Sequence, residues 1–500
     1  MAGASPWSPA GPGTLITSEH VRAVREALAS ELADLDVQGS RVALALADQA
    51  QFLGALGAAR SRGAVATLMS SAVPTQRSPV ELRQRIQRCE PHVIIVDVAH
   101  EALVAELADP AVGLLAVRED GPRWVRRPLD VARVRCDPAV TMMVFTSGST
   151  SMPKGVLLTR QNVDFALAAH ARMLDWGERD TYLACLPLTH VLGIVNLTSI
   201  LAAGGRAVVS PGFMFPDRVV ETCREQRVTV MSLVPYFLAR LLSRGNLESL
   251  PARQLVISSA PIVTADVSRL QAQLPALTVL HTYGLTEAFR STLLPPGDVP
   301  ERLPSIGKPI EGVQVELRTD EGERLDDPEA CGVAWLKGPN VMHGYFGEAQ
   351  LTALALRDGW LCTSDIMQRS ADGYLTLKGR TAEVLNGGGE KLMCHEVEAI
   401  IYQSMRVEEL IVLSVSSQHG CDHVVAVVAP APGERPEIAD VRRACAGRVH
   451  SVFIPRALVL VDRLPRRENG KIDRAAVARI ALEYLAQQVQ PAPPVDGAGA

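Results

Sequence analysis

The sequence has no apolar run that approaches the roughly 20 residues a membrane-spanning helix needs. Its formal net charge of -5 provides no basic field that would attract nucleic acid or an acidic membrane surface. The first residues also lack the positive start and the apolar stretch of a secretory signal peptide. These absences disfavour membrane, secreted and nucleic-acid-binding proteins, and they leave soluble enzymes and small-molecule binding proteins as candidates.

Cysteine pairs at short spacing are absent as well. The nine cysteines are scattered along the chain with no C-x-x-C pair, a pattern typical of reduced thiols. One dense group, His419, Cys421 and His423, resembles a zinc site in composition, but three ligands so close in a turn cannot easily surround one ion. The cysteine pattern therefore predicts a cytoplasmic protein without structural zinc.

Lysine is scarce in this chain. The six lysines among the 50 basic residues are Lys154, Lys308, Lys337, Lys378, Lys391 and Lys471. A chain that prefers arginine so strongly keeps some of its lysines where local chemistry wants a compact ammonium group, and others by chance. Lys154 and Lys471 gain weight from this scarcity, because both lie in the motifs described below.

Short apolar runs alternate with helix-length segments from about Thr17 onward. HVIIVD and RVALALA are continuously apolar, as are strands of a parallel sheet that is covered on both faces. SPVELRQRIQRC predicts a helix with Ser78 as its N-cap and Pro79 at its first position. Repeated strand–helix–strand units predict an α/β fold with parallel sheets.

The pattern changes farther along the 500 residues, a length that exceeds one compact domain. After about Ser305, strands joined by turns predict a β-rich subdomain, and mixed character returns toward the C-terminus. We expect a large N-terminal body, residues 14–381, of parallel α/β sheets plus that subdomain, and a smaller α+β C-terminal domain, residues 382–488. The Pro/Ala/Gly-rich tails, residues 1–13 and 489–500, are expected to be disordered.

The stretch FTSGSTSMPKG combines six Thr, Ser or Gly residues, 146–151, with Lys154. It follows the apolar run AVTMMVF and precedes a helix-length segment, so we expect a loop between a strand and a helix. Hydroxyl and backbone donors with one point charge are suited to polyphosphate. The loop is not a Walker A motif, because Gly155 follows the lysine where that motif has Ser or Thr. A Ser/Gly linker is the alternative, although a linker would rarely end in Pro-Lys-Gly here.

This loop and four further motifs resemble the ANL superfamily of adenylate-forming enzymes, which includes acyl- and aryl-CoA synthetases, adenylation domains of nonribosomal peptide synthetases, and luciferases. The further motifs are HTYGLTE (281–287), GWLCTSD (359–365), GRTAEVLNGGGEKLMCHEVE (379–398) and PRRENGKIDR (465–474). Their order and spacing match the family over almost the whole chain. The resemblance implies an AMP-forming ligase in which a substrate oxyanion attacks the α-phosphorus of ATP and pyrophosphate leaves.

The resemblance also assigns roles to individual residues. A mobile C-terminal domain would carry the catalytic Lys471 to the attacking oxygen and the α-phosphate, with Thr286 and His190 as further catalytic residues. The implied nucleotide-binding residues are Thr146, Ser147, Gly148, Ser149, Thr150, Lys154, Ser259, Ala260, Pro261, His281, Thr282, Tyr283, Gly284, Asp365 and Arg380. Tyr283 would stack on adenine, and Asp365 with Arg380 would bind the ribose.

Cofactors and the acid pocket follow from the same resemblance. ATP and Mg²⁺ are implied, with Glu287 and Thr146 at the metal, and coenzyme A or a carrier's phosphopantetheine is implied as co-substrate. The implied pocket for the acid consists of His190, Val191, Gly193, Tyr236, Ser258 and Leu285. The segment LPLTHVLG has no acidic residue that could grip an α-amino group, which disfavours an amino acid substrate.

Several positions depart from the family's pattern. Ser151 and Ser364 stand where glycine is usual, and Ala382 stands at the hinge, where aspartate or lysine is common. The hinge position bears on the second half-reaction, because the family rotates its C-terminal domain there between adenylation and thiol transfer. Ser258 and Ser259 replace glycines that are common beside the pocket, and their bulk favours a compact acid.

The leading hypothesis is a ligase that adenylates a small aryl or short acyl acid and passes it to coenzyme A. One alternative is transfer to a carrier protein in trans, and another is adenylation of an unusual substrate such as nitrite for diazotisation of an aryl amine. A third is a non-catalytic nucleotide-binding relative. The charged residues implied at the site, all of them intact, argue against this last alternative: Lys154, Glu287, Asp365, Arg380 and Lys471.

Overall fold

The computed structural model describes Trp7 and residues 11–69, 79–131, 134–146, 153–213, 215–243, 247–260, 262–387, 390–416, 422–466 and 471–488. Most of both tails, the loop residues 147–152 and the expected N-cap Ser78 lie outside these residues. The chain divides into two compact units, one of Met1–Thr363 with Gln368–Leu377 and the other of Ser364–Met367 with Lys378–Ala500.

Helices and strands alternate along the first part of the chain. Up to residue 380 the described helices are α1 (Ser18–Glu31), α2 (Gln49–Ser61), α3 (Pro79–Cys89), α4 (Glu101–Leu107), α5 (Arg160–Leu174), α6 (Val191–Ala202), α7 (Pro216–Glu225), α8 (Pro235–Leu242), α9 (Thr264–Gln273) and α10 (Ala349–Ala355). The strands are β1 (Leu15–Ile16), β2 (Arg41–Ala45), β3 (Val65–Leu68), β4 (Val93–Asp97), β5 (Gly113–Arg118), β6 (Gly121–Arg126), β7 (Val140–Thr146), β8 (Lys154–Thr159), β9 (Thr181–Ala184), β10 (Arg206–Val209), β11 (Val230–Leu233), β12 (Gln254–Ser258), β13 (Thr278–Tyr283), β14 (Thr292–Leu294), β15 (Ser305–Pro309), β16 (Gln314–Arg318), β17 (Cys331–Lys337), β18 (Gly344–Tyr345), β19 (Leu356–Arg357), β20 (Trp360–Arg369) and β21 (Leu375–Arg380).

One sheet has the strand order β18-β8-β7-β3-β2-β4-β5-β6, and its central pairs β7–β3, β3–β2, β2–β4 and β4–β5 are parallel. Strands β2 and β3 are buried along their whole length, because both faces of the sheet are covered. The Asp48 carboxylate accepts a 2.8 Å hydrogen bond from the Gln51 amide and so caps the helix that follows β2.

A second sheet begins with the order β1-β10-β9-β11-β12-β13 and continues through the antiparallel strands β14 and β15 toward β21, β20, β17 and β16. Strands β10, β9, β11, β12 and β13 are parallel, so their carboxyl ends meet at one edge. A hydrophobic core that includes Val219, Leu238 and Val267 packs helices α7, α8 and α9 against this sheet. In parallel α/β sheets the edge at the carboxyl ends is where ligands bind.

The β-rich part follows the parallel strands as expected. Strands β16 and β17 form an antiparallel pair, and β21 pairs with β15 through Leu375 and Thr376. The predicted architecture, a large α/β body with parallel sheets plus a β-rich part and a smaller C-terminal unit, is confirmed. None of the helices within the described ranges has the length and apolar character needed to cross a membrane.

The second unit has its own core. Its elements are β22 (Val384–Gly387), β23 (Glu390–Met393), α11 (Cys394–Ser404), β24 (Val407–Ser416), β25 (Asp422–Pro430), α12 (Ile438–Cys445), β26 (Ala457–Leu460) and α13 (Arg474–Gln488). Strands β24, β25 and β26 form one sheet, and side chains along β24 alternate between its faces. Leu410 and Val412 join the core under α11 and α12, whereas Ile411 and Leu413 join the core under α13.

One local expectation is wrong. The sequence predicts a loop between a strand and a helix after Thr146, but β8 begins at Lys154 and α5 begins only at Arg160. The apolar run that contains Val156 pairs with β7 in antiparallel register, and Thr159 caps the helix through a hydrogen bond from the Asn162 amide. The loop therefore joins two strands of a hairpin.

Candidate active site

The hairpin β7–β8 holds both ends of the phosphate-binding loop predicted from the sequence. Thr146, the last residue of β7, is paired with Lys154, the first residue of β8, and Phe145 is paired with Gly155. A Cβ on Gly155 would lie 2.7 Å from the Met143 sulfur, so a larger residue here would require the Met143 side chain to move. Ser147, Gly148, Ser149, Thr150 and Ser151 lie outside the described residues.

A lysine, a tyrosine and a glutamate from three separate segments meet beside this hairpin. The Lys154 ammonium lies 5.5 Å from the centroid of the Tyr345 ring, and the Tyr345 hydroxyl donates a 3.1 Å hydrogen bond to Glu287 Oε1. Burial, followed by the charge of Glu287, raises the pKa of Tyr345, so the phenol remains a protonated donor at neutral pH. A cation and a carboxylate thus both contact one tyrosine, the cation at the ring and the carboxylate at the hydroxyl.

Backbone pairing explains how Tyr345 reaches this position. Gly344 and Tyr345 form β18, which pairs with Leu157 and Val156 of β8, and the Met342 amide donates a 2.8 Å hydrogen bond to the Glu287 carbonyl. Tyr345 was not among the site residues predicted from the sequence. A tyrosine between two glycines, in HGYFG after the strand GVAWLKG, is the signal that could have drawn attention to it.

The segment YGLTE forms a tight turn at the carboxyl end of β13. The Ser291 amide donates to the Tyr283 carbonyl at 2.8 Å, and the Leu285 amide donates to the Ala288 carbonyl at 3.0 Å. A Cβ on Gly284 would lie 2.5 Å from the Arg290 nitrogen, so only glycine fits this turn. Thr286 and Glu287 are half-buried in the same turn, while Tyr283 is only 8% exposed.

The two residues before Tyr283 are buried and hydrogen-bonded within the fold. His281 Nδ1 donates to the Ser305 carbonyl at 3.0 Å, and burial lowers the pKa of the ring, so His281 is neutral. The Thr282 hydroxyl accepts a hydrogen bond from Arg290 at 3.1 Å. Both side chains, predicted to be near the nucleotide, therefore also support the end of β13.

The end of β12 lies next to β13. The Ser258 hydroxyl is buried and donates a 2.9 Å hydrogen bond to the Thr282 carbonyl. Ser259 has φ +81°, a left-handed conformation that favours glycine, and it is half-buried like Ala260. Pro261, which the sequence analysis also assigned to the nucleotide, lies outside the described residues.

The predicted acid-pocket residues of α6 and α8 lie at helix starts. His190 immediately precedes α6, is half-buried, and donates its backbone amide to the Pro187 carbonyl at 3.1 Å. A Cβ on Gly193 would lie 2.4 Å from that same carbonyl oxygen, so glycine is required for this approach. Tyr236 is the second residue of α8 and, like Leu285, is half-buried.

In the second unit, Asp365 and Arg380 form an ion pair. Arg380 Nε donates to Asp365 Oδ1 at 2.9 Å, and the Asp365 carboxylate is almost fully buried while the arginine is largely exposed. Ser364 has φ +58°, which explains why glycine suits this position. Lys471 is exposed and lies at a turn that is closed by a bridge between Arg466 and Ile472 and by a 2.8 Å hydrogen bond from the Asp473 amide to the Pro465 carbonyl.

The remaining thiol and imidazole groups of interest lie in the C-terminal part of the chain. His419 and Cys421 lie outside the described residues, and the part of the chain that the structure describes contains no cluster of three His, Cys, Asp or Glu that could hold a metal ion. Burial, followed by Glu398, raises the pKa of Cys394 to about 12, so this cysteine stays a thiol at neutral pH.

Comparisons with known proteins cover most of the chain. A family model for an AMP-binding enzyme matches residues 10–346, and a model for the AMP-binding enzyme C-terminal domain matches residues 396–471. An indoleacetate–CoA ligase from Aromatoleum aromaticum is 28% identical over 80% of this chain and 81% of its own length. A 2-succinylbenzoate–CoA ligase from Bacillus licheniformis is 31% identical over 69% of this chain and 71% of its own length.

Among solved structures, ATP-bound MatB from Rhodopseudomonas palustris is similar with a TM-score of 0.80. The alignment covers 96% of this chain and 99% of that protein at 24% identity, and at this identity the likeness shows the fold.

Proposed function

Since the chain belongs to the AMP-binding enzyme family and is an ATP-dependent AMP-forming ligase, we propose that it adenylates a small carboxylic acid and transfers the acyl group to coenzyme A. Two of its relatives, which act on indoleacetate and on 2-succinylbenzoate, are CoA ligases, and this supports coenzyme A as the acceptor. The free cysteines of the described residues are consistent with a cytoplasmic location, which we propose as well.

The observation that carries the proposal is the arrangement of Lys154, Tyr345 and Glu287 beside the β7–β8 hairpin. We call this the phosphate hairpin, because it holds both ends of the predicted phosphate-binding loop. Lys154 would neutralise the β- and γ-phosphates, together with the hydroxyl and backbone donors that the sequence predicts for residues 146–151. The Glu287 carboxylate, oriented by the Tyr345 hydroxyl, is a hard oxygen ligand of the kind that magnesium prefers. One carboxylate with the Thr146 hydroxyl fits Mg²⁺, because this ion keeps water and phosphate oxygens as its other ligands.

Bound magnesium would neutralise charge on the phosphate oxygens, and the protein would align the reacting groups. Tyr283, at the end of β13, stacks on adenine, and Thr286 donates to the α-phosphate. Asp365 accepts hydrogen bonds from the ribose hydroxyls with Arg380 beside it, as their ion pair suggests. Lys471 binds the attacking oxygen and the α-phosphate.

The proposed reaction consists of two half-reactions, adenylation of the acid and transfer of the acyl group to the thiol. An oxygen of the substrate carboxylate forms a bond to the α-phosphorus, the bond from that phosphorus to the bridging oxygen breaks, and pyrophosphate leaves. The thiolate of coenzyme A next attacks the acyl carbon, and AMP leaves with the electron pair of the broken C–O bond. The protein contributes position and charge in both steps and forms no covalent intermediate.

The acid is proposed to bind at the carboxyl edge of the second sheet. His190 precedes α6 there, Ser258 ends β12, and Leu285 lies in the turn after β13, where it is half-buried. Within the described residues that flank this edge, Ser258 and Ser259 add side-chain bulk, which supports a compact acid.

Pyrophosphate release with ATP and Mg²⁺ tests the proposal across panels of aryl acids, short acyl acids and nitrite, with and without coenzyme A. We expect acid-dependent release, and formation of a thioester, detectable by mass spectrometry, when coenzyme A is present. Absence of release with every compound would contradict the adenylation proposal. A preference for nitrite with no effect of the thiol would instead favour the diazotisation alternative.

A further inference from the structure

Arg290 is a buried cation that lacks an anionic partner within the described residues. Its side chain is only 2% exposed, and the ion pairs of those residues do not include it. Nη1 donates to the Thr282 hydroxyl at 3.1 Å, Nη2 donates to Asn196 Oδ1 at 2.8 Å, and the guanidinium carbon lies 5.4 Å from the centroid of the Phe289 ring. The buried Nε has no hydrogen-bond partner.

The groups around this guanidinium are neutral. His170 Nε2 lies 2.8 Å from the Asn196 oxygen that Arg290 also contacts, and burial together with the charge of Arg290 lowers the pKa of His170 well below its usual range. The Tyr182 hydroxyl, 3.4 Å from Asn196 Nδ2, is fully buried, and its pKa is raised. Burial lowers the pKa of Arg290 to about 10, so the guanidinium is still charged at neutral pH.

Arg41 is the other fully buried arginine of the described residues, and its contacts are those of a structural side chain. It is 1% exposed, its Nε and Nη2 donate to the carbonyls of Cys89 and Glu90 at 2.7 and 2.8 Å, and the Glu90 carboxylate lies 3.6 Å away. Backbone carbonyls and a carboxylate thus satisfy Arg41. Arg290 uses two neutral side chains and leaves three of its five N–H groups without a partner among the described residues.

The location of Arg290 connects it with the acid. It is anchored to Thr282, the residue before Tyr283, and to Asn196 of α6, the helix that His190 precedes. Consecutive strand residues point to opposite faces, so Thr282 and Tyr283 lie on different sides of β13. Arg290, which donates to the Thr282 hydroxyl, therefore lies on the face of β13 opposite Tyr283 and next to the helix that His190 precedes.

We propose that Arg290 is a specificity-determining residue that binds a second anionic group on the acid, so that the preferred substrates are small dicarboxylic acids. A carboxylate matches the unused N–H groups of the guanidinium and supplies the missing negative charge. The inference rests on the proposed function, because it names the class of acid that the same site adenylates. An unbalanced buried charge lowers the stability of the free enzyme, and the bound substrate would remove that penalty.

The test compares wild type with Arg290→Met on pairs of acids that differ only in a second carboxylate, such as a dicarboxylic acid and its monomethyl ester. We expect wild type to prefer the diacid by roughly 10- to 100-fold in kcat/KM, the range of a desolvated charge pair. The variant should lose that preference and keep its affinity for ATP. Its Tm without substrate should be equal to or above that of wild type, whereas loss of a purely structural arginine would lower Tm.

Arg290→Lys is the second variant, and it keeps the charge while it removes the bidentate geometry. It should lower kcat/KM for the diacid with little effect on the monoester, and the diacid should raise its Tm less than it raises that of wild type. If both variants keep the wild-type ratio between diacid and monoester, the inference is wrong while acid-dependent pyrophosphate release still supports the proposed function. If wild type releases pyrophosphate with neither acid of any pair, the proposed function itself fails.

Discussion

The phosphate-facing and acid-facing parts of the candidate site balance charge in opposite ways. Beside the phosphate hairpin, Lys154 and Glu287 both contact Tyr345, so a cation and an anion accompany each other. At the end of β13, Arg290 is surrounded by the neutral side chains of Thr282 and Asn196. A part that binds the same nucleotide in every turnover has complementary charges within the protein. According to our proposal, the part that selects an acid keeps a positive charge that the bound acid balances.

The largest effect should come from Lys471, because we assign this residue to the chemistry of adenylation and not to the selection of the acid. Lys471→Ala removes the proposed cation at the attacking oxygen and the α-phosphate, and it should lower adenylation by about 10²- to 10³-fold for diacid and monoester alike. ATP affinity, measured by calorimetry, should change little. Lys308→Ala, at another exposed lysine, is the matched control and should keep full activity.

A Lys471→Ala variant with normal adenylation would remove this lysine from the proposed site. A loss confined to diacids would contradict the division into a phosphate-facing and an acid-facing part, since it would assign acid selection to Lys471.

The next largest effect should come from Tyr345. Tyr345→Phe keeps the ring beside Lys154 but deletes the 3.1 Å hydrogen bond to Glu287, a bond to a charged group that contributes roughly 10-fold or more. We expect a higher Mg²⁺ requirement and about a 10-fold lower rate of pyrophosphate release, measured at several Mg²⁺ concentrations. Glu287→Gln should have the same signature with a larger loss.

The ratio of kcat/KM between diacid and monoester should stay unchanged in both variants. A change in that ratio would show that the two parts of the site are not separable.

The sequence predicts those parts of the site that depend on neighbouring residues, and it does not predict those that depend on contacts between distant residues. Lys154 and Glu287 lie in short local motifs, and their element types follow from runs of neighbouring residues, so they could be found before the structure. Tyr345 could not, because its position depends on β18 pairing with β8, far away in the chain.

Arg290 shows the same limit for the acid-facing part. It directly follows a motif that the sequence analysis recognised, but its partners lie on α6 and β13 and its isolation from acidic groups is a property of the packed interior. The hairpin after Thr146 was missed for a local reason. The apolar run after Lys154 is as compatible with the first turns of a helix as with a short strand.

A moderate effect on stability should accompany acidification. His170 has a lowered pKa from burial and the charge of Arg290, so the unfolded chain binds a proton below about pH 6.5 while the folded protein does not. Stability is therefore fully present above that pH and is lost as pH falls, by up to about 1.4 kcal/mol per pH unit. Between pH 7.5 and pH 5.5 the loss from this one group should lower the Tm of wild type by about 1–2 °C.

The same pair of Tm values also tests whether the charge of Arg290 is unbalanced. Arg290→Met removes one cause of the lowered pKa of His170, so its Tm should fall less between the two pH values than that of wild type. An equal or larger fall would show that burial alone controls His170 and that the charge of Arg290 is balanced by other means.

The smallest effect should come from the two serines that end β12 beside the acid-facing part. Ser259 adopts φ +81°, which costs a non-glycine residue about 1–2 kcal/mol, whereas glycine costs about 0.5–1 kcal/mol through unfolded-state entropy. Ser259→Gly should therefore raise stability by no more than about 1.5 kcal/mol. Ser258→Gly loses the buried hydrogen bond to the Thr282 carbonyl and should lower it by about 1 kcal/mol. Thermal melts of both variants test the opposite signs. If Ser259→Gly instead lowers Tm, the strain is offset by contacts of its side chain, and if it lowers kcat/KM for the acid at unchanged Tm, the serine belongs to the acid-facing part together with Arg290.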